Sequence, residues 1–292
     1  MCQKSSRKGH ERHSPNFRTK STKIRILSEL TKRILFAVPA ATLFIWLAWM
    51  GGIYFNTIMA LLALGTVWEV DRLMKNAGFG GFFGVSVAIA ALLWFSSSLP
   101  SLVVLAGFLA AIIPLIAFLF KKYHGFGYQW ISMLFCGLYA PIGYLMVVHV
   151  RELGVDTQGF WLILSLFFMI WGNDIFAYFI GRSFGKNKLA PNVSPNKSWE
   201  GFWGGFLGAA TGALIAWGIA ADFPLTLVEL LPAAVVVSIT GPLGDLTESR
   251  LKRLAGMKDS SSLLPGHGGL FDRFDAMILT APFLFFYFTF FL

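Results

Sequence analysis

About nine apolar runs, each near the roughly 20 residues that a helix needs to cross about 30 Å of hydrocarbon, leave this chain little choice but to fold inside a membrane. They run approximately over 34–52, 53–68, 79–97, 100–120, 128–150, 159–180, 201–221, 225–244 and 272–292. Backbone groups in hydrocarbon must be satisfied within the segment, so runs of this length read as helices. The fold class is therefore all-α, a polytopic integral membrane protein with about nine transmembrane helices. Only Gly51 and Gly52 separate the first two runs, which predicts a tight helical hairpin. Composition agrees: 56% of residues are hydrophobic, 13% are charged and the mean hydropathy is +0.66, outside the profile of a soluble globular domain.

Charge placement orients the chain, because cytoplasmic loops collect Lys and Arg. Ten of the 24 basic residues lie in the first 33 positions. With that tail cytoplasmic, the loops on its side carry Arg72 and Lys75, then Lys121 and Lys122, then Arg182, Lys186, Lys188 and Lys197, and finally Arg250, Lys252, Arg253, Lys258 and Arg273. Only Arg151 falls on the opposite side. A missed or invented span would reverse the bias for every later loop, so the N-terminus is expected inside and the C-terminus outside. The net charge of +9 is then a matter of topology and calls for no nucleic-acid partner. Residues 1–33 read as a basic, disordered cytoplasmic tail facing anionic lipid. Residues 34–292 read as one membrane-embedded domain, with 34–158 mainly scaffold and 159–292 carrying the site. The first run follows a long basic region and precedes many further spans, so it is expected to be an uncleaved anchor rather than a secretory signal. Cys2 and Cys136 sit in unlike settings and suggest neither a disulfide nor a thiolate metal site.

Hydrophobicity does not explain the polar residues of the second half. Asp174 lies well within a span, where a lipid-facing carboxylate would cost several kcal/mol, so it faces a polar cavity or is paired with Asn173 or an Arg. Next, GRSFGKNKLAPNVSPNKSWEGFWGG groups Arg182, Lys186, Lys188 and Lys197 before Ser198 and a Gly-rich helix. Cations near a helix N-terminus suit a phosphate, although Ser198 also reads as a plain helix cap and the lysines as topological flanking. In GPLGDLTES, Asp245, Glu248 and Ser249 share a face if the helix continues there. Asp272 opens the last helix, with Asp275 one turn on. Two or three carboxylates converging at a membrane boundary are what Mg²⁺ requires. Gly266, Gly268 and Gly269 surround His267, leaving backbone free to approach a phosphate, and His267 suits a phosphate contact or proton transfer. The bland reading of this stretch is a salt-bridged interfacial loop, with Lys252, Arg253 and Arg273 neutralising Asp259, Asp272 and Asp275.

The run from Ser249 to Asp275, SRLKRLAGMKDSSSLLPGHGGLFDRFD, resembles the signature of the phosphatidate cytidylyltransferase family, the CDP-diacylglycerol synthases. The matching positions are Ser249, Leu251, Lys252, Arg253, Lys258, Asp259, Ser261, Leu264, Pro265, His267, Gly268, Gly269, Leu270, Asp272, Arg273, Phe274 and Asp275. NDIFAYFIGRSFGK at 173–186, SPNKSWEG at 194–201 and GDLTES at 244–249 are similar to further family segments. Ser198 stands where Thr is usual, Asn196 where Lys is common and Thr247 where Phe is common. The resemblance implies transfer of CMP from CTP to phosphatidic acid, giving CDP-diacylglycerol and pyrophosphate with Mg²⁺ as cofactor; a second cation is admitted. It implies Asp245 and Asp272 as metal ligands, supported by Asp275 and Ser249, and adds Lys252 and His267 to the catalytic set. Lys197, Ser198, Arg253, Lys258, Asp259, Gly268, Gly269, Arg273 and Asp174 are the expected substrate contacts. CTP is expected from the cytoplasm and the lipid sideways from the bilayer of a bacterial plasma membrane; a homodimer is left open. The alternatives are a CTP-dependent transferase or kinase acting on a polyprenol or ether lipid, and an ion-coupled transporter centred on Asp174. The transporter reading leaves the clustered HGG, Lys and Asp motif without a purpose.

Overall fold

The computed structural model describes Leu35 and residues 38–95, 127–264 and 268–292. The basic tail, the expected span 100–120 and His267 lie outside the described residues. Six described helices are long and apolar enough to cross a membrane, and two shorter apolar ones accompany them. In chain order they are α1 (Val38–Met50), α2 (Gly52–Asn76), α3 (Phe83–Phe95), α4 (Gly127–Arg151), α5 (Gln158–Phe184), α6 (Trp199–Ile219), α7 (Leu227–Leu254) and α8 (Phe271–Phe291). The hairpin expected at Gly51 and Gly52 is present; both glycines take positive φ (65° and 51°), the left-handed region that lets the chain turn without a spacer.

Helix α4 is the hub. In its most apolar stretch 83% of residues are buried, against 39% to 50% in the other five long helices. It packs against α2, α3 and α8, burying Tyr139 and Tyr144 completely, and Tyr144 Oη lies 3.0 Å from Thr66 Oγ1 of α2. Its last residue, Arg151, donates to the carbonyls of Ala48 (2.6 Å) and Trp49 (3.0 Å). The one cation on the unexpected side of the charge pattern thus serves as a cap for the end of α1.

Helices α5 and α6 meet along a seam of small residues. A Cβ on Gly208 would stand against the Gly172 backbone, and one on Gly212 against that of Phe168. Close backbone approach of this kind drives helix association where lipid offers no hydrophobic contrast. Between these helices lies an antiparallel hairpin that hydropathy did not suggest, β1 (Lys188–Ala190) with β2 (Ser194–Ser198), Lys188 opposite Ser198. Its base is closed by Glu200, whose Oε1 accepts from Asn187 Nδ2 at 2.9 Å.

Two helices outrun their apolar runs. Helix α2 continues past residue 68 through Asp71 and Lys75, paired at 2.6 Å, and α7 continues ten residues past 244. These polar extensions, the end of α5, the hairpin and the start of α8 lie at one end of the bundle, where Asn76 Nδ2 reaches Met257 Sδ at 3.0 Å.

Candidate active site

The C-terminal part of α7 stays helical, so Asp245, Glu248 and Ser249 fall on one face as their spacing predicted. Gly244 decides how near α8 comes to that face, since a Cβ there would stand against the Asp275 carbonyl. The approach brings ligand oxygens of Asp245, Glu248 and Asp275 within 4.8 Å of one another. Ser249 Oγ donates to Asp245 Oδ1 at 3.3 Å, and the Ala276 N–H donates to Asp275 Oδ1 at 2.8 Å. Three carboxylates this close repel one another unless a cation or protons intervene, and the all-oxygen set suits a hard divalent ion.

Asp272 is held differently. Its Oδ1 accepts from Lys252 Nζ at 2.7 Å, and its Oδ2 accepts from the Ser260 N–H (2.9 Å) and the Gly269 N–H (2.8 Å) and lies 3.0 Å from Ser260 Oγ, whose single proton it shares with Glu69. Lys252 also pairs with Glu248 at 2.6 Å and is only 13% exposed. It therefore binds α7 to α8 as a buried tie. Asp245, Glu248, Ser249, Lys252, Asp272 and Asp275 face an acidic cavity of about 420 Å³, lined also by Asp174, Asp259 and Arg273.

Behind Asp272 stands a residue that sequence reading passed over, Glu69 of α2. It is fully buried, yet each carboxylate oxygen accepts two hydrogen bonds. Oε1 takes Ser261 Oγ (2.6 Å) and the Leu270 N–H (2.8 Å); Oε2 takes Ser260 Oγ (2.8 Å) and the Phe271 N–H (2.7 Å). The first amides of α8 have no carbonyl within their own helix, and Glu69 satisfies them in place of a local cap. Gly269 has to lack a side chain because a Cβ would collide with Ser260 Oγ and both Glu69 oxygens. Gly268 sits at φ 85°, and its carbonyl accepts from the Leu264 N–H at 2.9 Å. A carboxylate near the end of an apolar run was the available signal, the same one that exposed Asp174.

A second, larger cavity of about 650 Å³ opens between α5, the hairpin and α6, and shares Asp174 and Asp245 with the acidic one. Lys197 pairs with Asp245 at 2.6 Å. Ser198 Oγ accepts from the Gly201 N–H at 3.1 Å, so Ser198 is the N-cap of α6. Asn173 is buried, and its amide makes no hydrogen bond among the described residues, so it does not pair with Asp174. A third cavity, of about 360 Å³ and almost wholly apolar, lies among α1, α2 and α5 and shares Phe167, Trp171 and Arg273 with the acidic one.

Most of the residues singled out in the sequence therefore converge. Asp174, Asp245, Ser249, Lys252, Asp259, Asp272, Arg273 and Asp275 line one cavity, Lys197 and Ser198 the adjoining one. Gly268 and Gly269 form the turn behind Asp272. Arg253 and Lys258 are exposed and line none of the three cavities.

Membrane-length helices whose carboxylates and cations converge at one end of the bundle, between a polar cavity and an apolar one, define a polytopic membrane enzyme built to join a polyanion to a lipid. The particular family follows from comparison with known proteins. The cytidylyltransferase family model matches residues 31–291, and the chain belongs to that family. It is 32% identical over 266 residues to a phosphatidate cytidylyltransferase of Bacillus subtilis (strain 168), covering 88% of this chain and 97% of that protein. A phosphatidate cytidylyltransferase of Brucella abortus biovar 1 is 33% identical over 261 residues, 89% of this chain and 93% of the relative. One of Haemophilus influenzae is 48% identical over 140 residues, 46% and 47% of the two chains.

Proposed function

We propose that this protein is a phosphatidate cytidylyltransferase, a CTP-using nucleotidyltransferase that makes CDP-diacylglycerol for phospholipid synthesis. The observation that carries the reading is the acidic cavity, in which Asp245, Glu248, Asp272 and Asp275 meet Lys252 and Arg273 between a basic cavity and an apolar one. A phosphate oxygen of phosphatidic acid attacks the α-phosphorus of CTP, forming a new P–O bond. The bond from that phosphorus to the bridging oxygen breaks, and pyrophosphate leaves with the electron pair. The lipid phosphate is already anionic at neutral pH, so the protein's task is to bring two polyanions together and offset the charge that moves to the leaving group.

The clustered oxygens of Asp245, Glu248 and Asp275 fit a hard cation, whereas Asp272, expected as a ligand from the sequence, stands outside that cluster with its Oδ1 on Lys252. The clustered residues would hold Mg²⁺, and a second cation fits the number of carboxylates. When bound, the ion supplies positive charge beside the transferring phosphoryl group. Ser249 orients Asp245, Lys252 fixes α7 against α8, and Arg273 stands where the acidic and apolar cavities join, placed for the lipid phosphate. The basic loops at this end of the bundle support a cytoplasmic site, an internal N-terminus and about nine crossings in a bacterial cell membrane.

The test is formation of CDP-diacylglycerol from labelled CTP and phosphatidic acid by the purified protein in detergent micelles, with Mg²⁺ present or chelated. Metal-dependent lipid product with stoichiometric pyrophosphate is expected. Product from a polyprenol phosphate or ether lipid but none from phosphatidic acid overturns the acceptor; no nucleotide turnover from folded protein overturns the reading.

A further inference from the structure

Glu69 does more than cap α8. It stands at one end of an unbroken line of hydrogen bonds and ion pairs that runs from α2 to the carboxylate cluster. Ser260 Oγ lies 2.8 Å from Glu69 Oε2 and 3.0 Å from Asp272 Oδ2. Asp272 Oδ1 accepts from Lys252 Nζ at 2.7 Å, and the same ammonium pairs with Glu248 Oε1 at 2.6 Å. Glu248 belongs to the cluster with Asp245 and Asp275. Every member of the line is withdrawn from water. Glu69 and Ser260 are fully buried, and the side chains of Lys252, Asp272 and Glu248 are 13%, 7% and 3% exposed, so solvent screens their charges weakly. A loop that needed only fastening would be held as well by apolar packing, which spares the desolvation of buried charge. What the line adds is direction. The Ser260 and Gly269 amides hold Asp272 Oδ2 from the backbone, and Ser260 Oγ meets it from the side of Glu69, which leaves Oδ1 for Lys252. The motif glycines make the room: a Cβ on Gly268 would meet Asp272 Oδ2, and one on Gly269 would meet Ser260 Oγ and the Glu69 carboxylate.

We infer that Glu69 and Ser260 are positioning residues for the reacting centre: through Asp272 they keep Lys252 shared between Asp272 and Glu248, and so keep the carboxylate cluster able to take a divalent cation. With Asp272 turned away, the ammonium would settle on Glu248 alone. It would then neutralise a member of the cluster and compete with the incoming ion. The inference rests on the proposed function for the use made of the cation; the line itself rests on the geometry.

The full-length protein in detergent micelles provides the test, read as the rise in thermal midpoint when Mg²⁺ is titrated in the absence of both substrates. Ser260→Ala and Glu69→Gln are each expected to raise the Mg²⁺ concentration for half the maximal shift about tenfold. The double variant should raise it no further than the larger single one, as for two members of one line. Thr66→Val, one turn before Glu69 on α2, removes a buried contact with Tyr144 and should lower the midpoint without changing the Mg²⁺ dependence. In turnover, Ser260→Ala should lower kcat about tenfold with KM for CTP within about twofold of wild type. Lys188→Ala, in the basic cavity, should do the reverse, raising KM for CTP and leaving the Mg²⁺ dependence alone. A wild type that responds to Mg²⁺ but forms no CDP-diacylglycerol would sink the acceptor and leave the positioning line standing. A wild-type midpoint that Mg²⁺ does not move, an unchanged Mg²⁺ dependence in both Ser260→Ala and Glu69→Gln, or an equal change in Thr66→Val overturns the inference.

Discussion

The acidic and basic cavities meet at Asp174 and Asp245 but neutralise their charges in opposite ways. In the acidic cavity the protein supplies its own partners: Lys252 spans Glu248 and Asp272, Ser260 and the Gly269 amide hold the other Asp272 oxygen, and Glu69 holds Ser260. In the basic cavity Arg182 and Lys188 have no carboxylate partner among the described residues. The first arrangement fixes geometry before any ligand arrives, as a reacting centre requires. The second leaves its charge uncommitted, as a site that must capture a polyanion from water requires. Fixing geometry and capturing substrate are thus assigned to adjoining regions.

The largest effect that can break this comparison is at the shared carboxylate. Asp245→Asn should lower kcat about 10³-fold while the protein still inserts and migrates as a folded species in detergent. A kcat near wild type would remove Asp245 from the reacting centre, and with it the claim that the two cavities meet there. Glu69→Ala comes next. It leaves the Ser261 hydroxyl proton and the Leu270 and Phe271 amides without acceptors in a buried setting, a loss of about 3 kcal/mol or more. The thermal midpoint in detergent should fall. In protein assayed well below that midpoint, kcat should also fall about 10²-fold and the Mg²⁺ concentration for half-activity should rise, because the first turn of α8, which carries Asp272, loses its anchor at the Leu270 and Phe271 amides. A lowered midpoint with unchanged kcat and Mg²⁺ requirement would make Glu69 a stabiliser of the bundle and nothing more.

Glu69 also marks where the sequence stopped being readable. Apolar length located the helices seen among the described residues, and i, i+3 and i, i+4 spacing placed Asp245, Glu248 and Ser249 on a common face, because both signals are local. The second apolar run stops at residue 68, yet α2 continues to Asn76 and Glu69 faces inward. Its partners lie about two hundred residues away (Ser260, |i−j| 191; Phe271, |i−j| 202), a separation that spacing rules do not reach. Lys252 was legible in part, since the salt-bridged reading of its loop pairs it with Asp272 as the structure does. Its pair with Glu248 is an i,i+4 contact within α7, and the packing of α7 on α8 adds Asp272. The hairpin escaped notice because SPNKS has no alternating apolar face; Asn187 and Glu200 hold it instead.

Smaller effects should sharpen the contrast. Gly208→Ala puts a methyl against the Gly172 backbone and forces α5 and α6 apart. A destabilisation of roughly 1–3 kcal/mol is expected in the melt. Because α6 begins two residues after Lys197, CTP affinity should weaken while the response to Mg²⁺ stays near wild type. An equal disturbance of both would mean that the two cavities are one mechanical unit.

Ser198→Ala is expected to do least. The hydroxyl lines the basic cavity, but it is buried and already accepts the Gly201 N–H, one of the orphan donors of α6. Removing a cap of this kind costs about 1 kcal/mol, which should appear as a small fall in the melting midpoint and a rise of no more than about threefold in KM for CTP. Thr, the residue usual at this position by family resemblance, keeps the oxygen, so Ser198→Thr should be close to neutral. If Ser198→Ala instead raised KM for CTP as much as Lys188→Ala does, the hydroxyl would have to leave Gly201 and meet the nucleotide. The basic cavity would then be remodelled by its ligand, and the contrast between a fixed centre and an uncommitted binding site would hold only before substrate arrives.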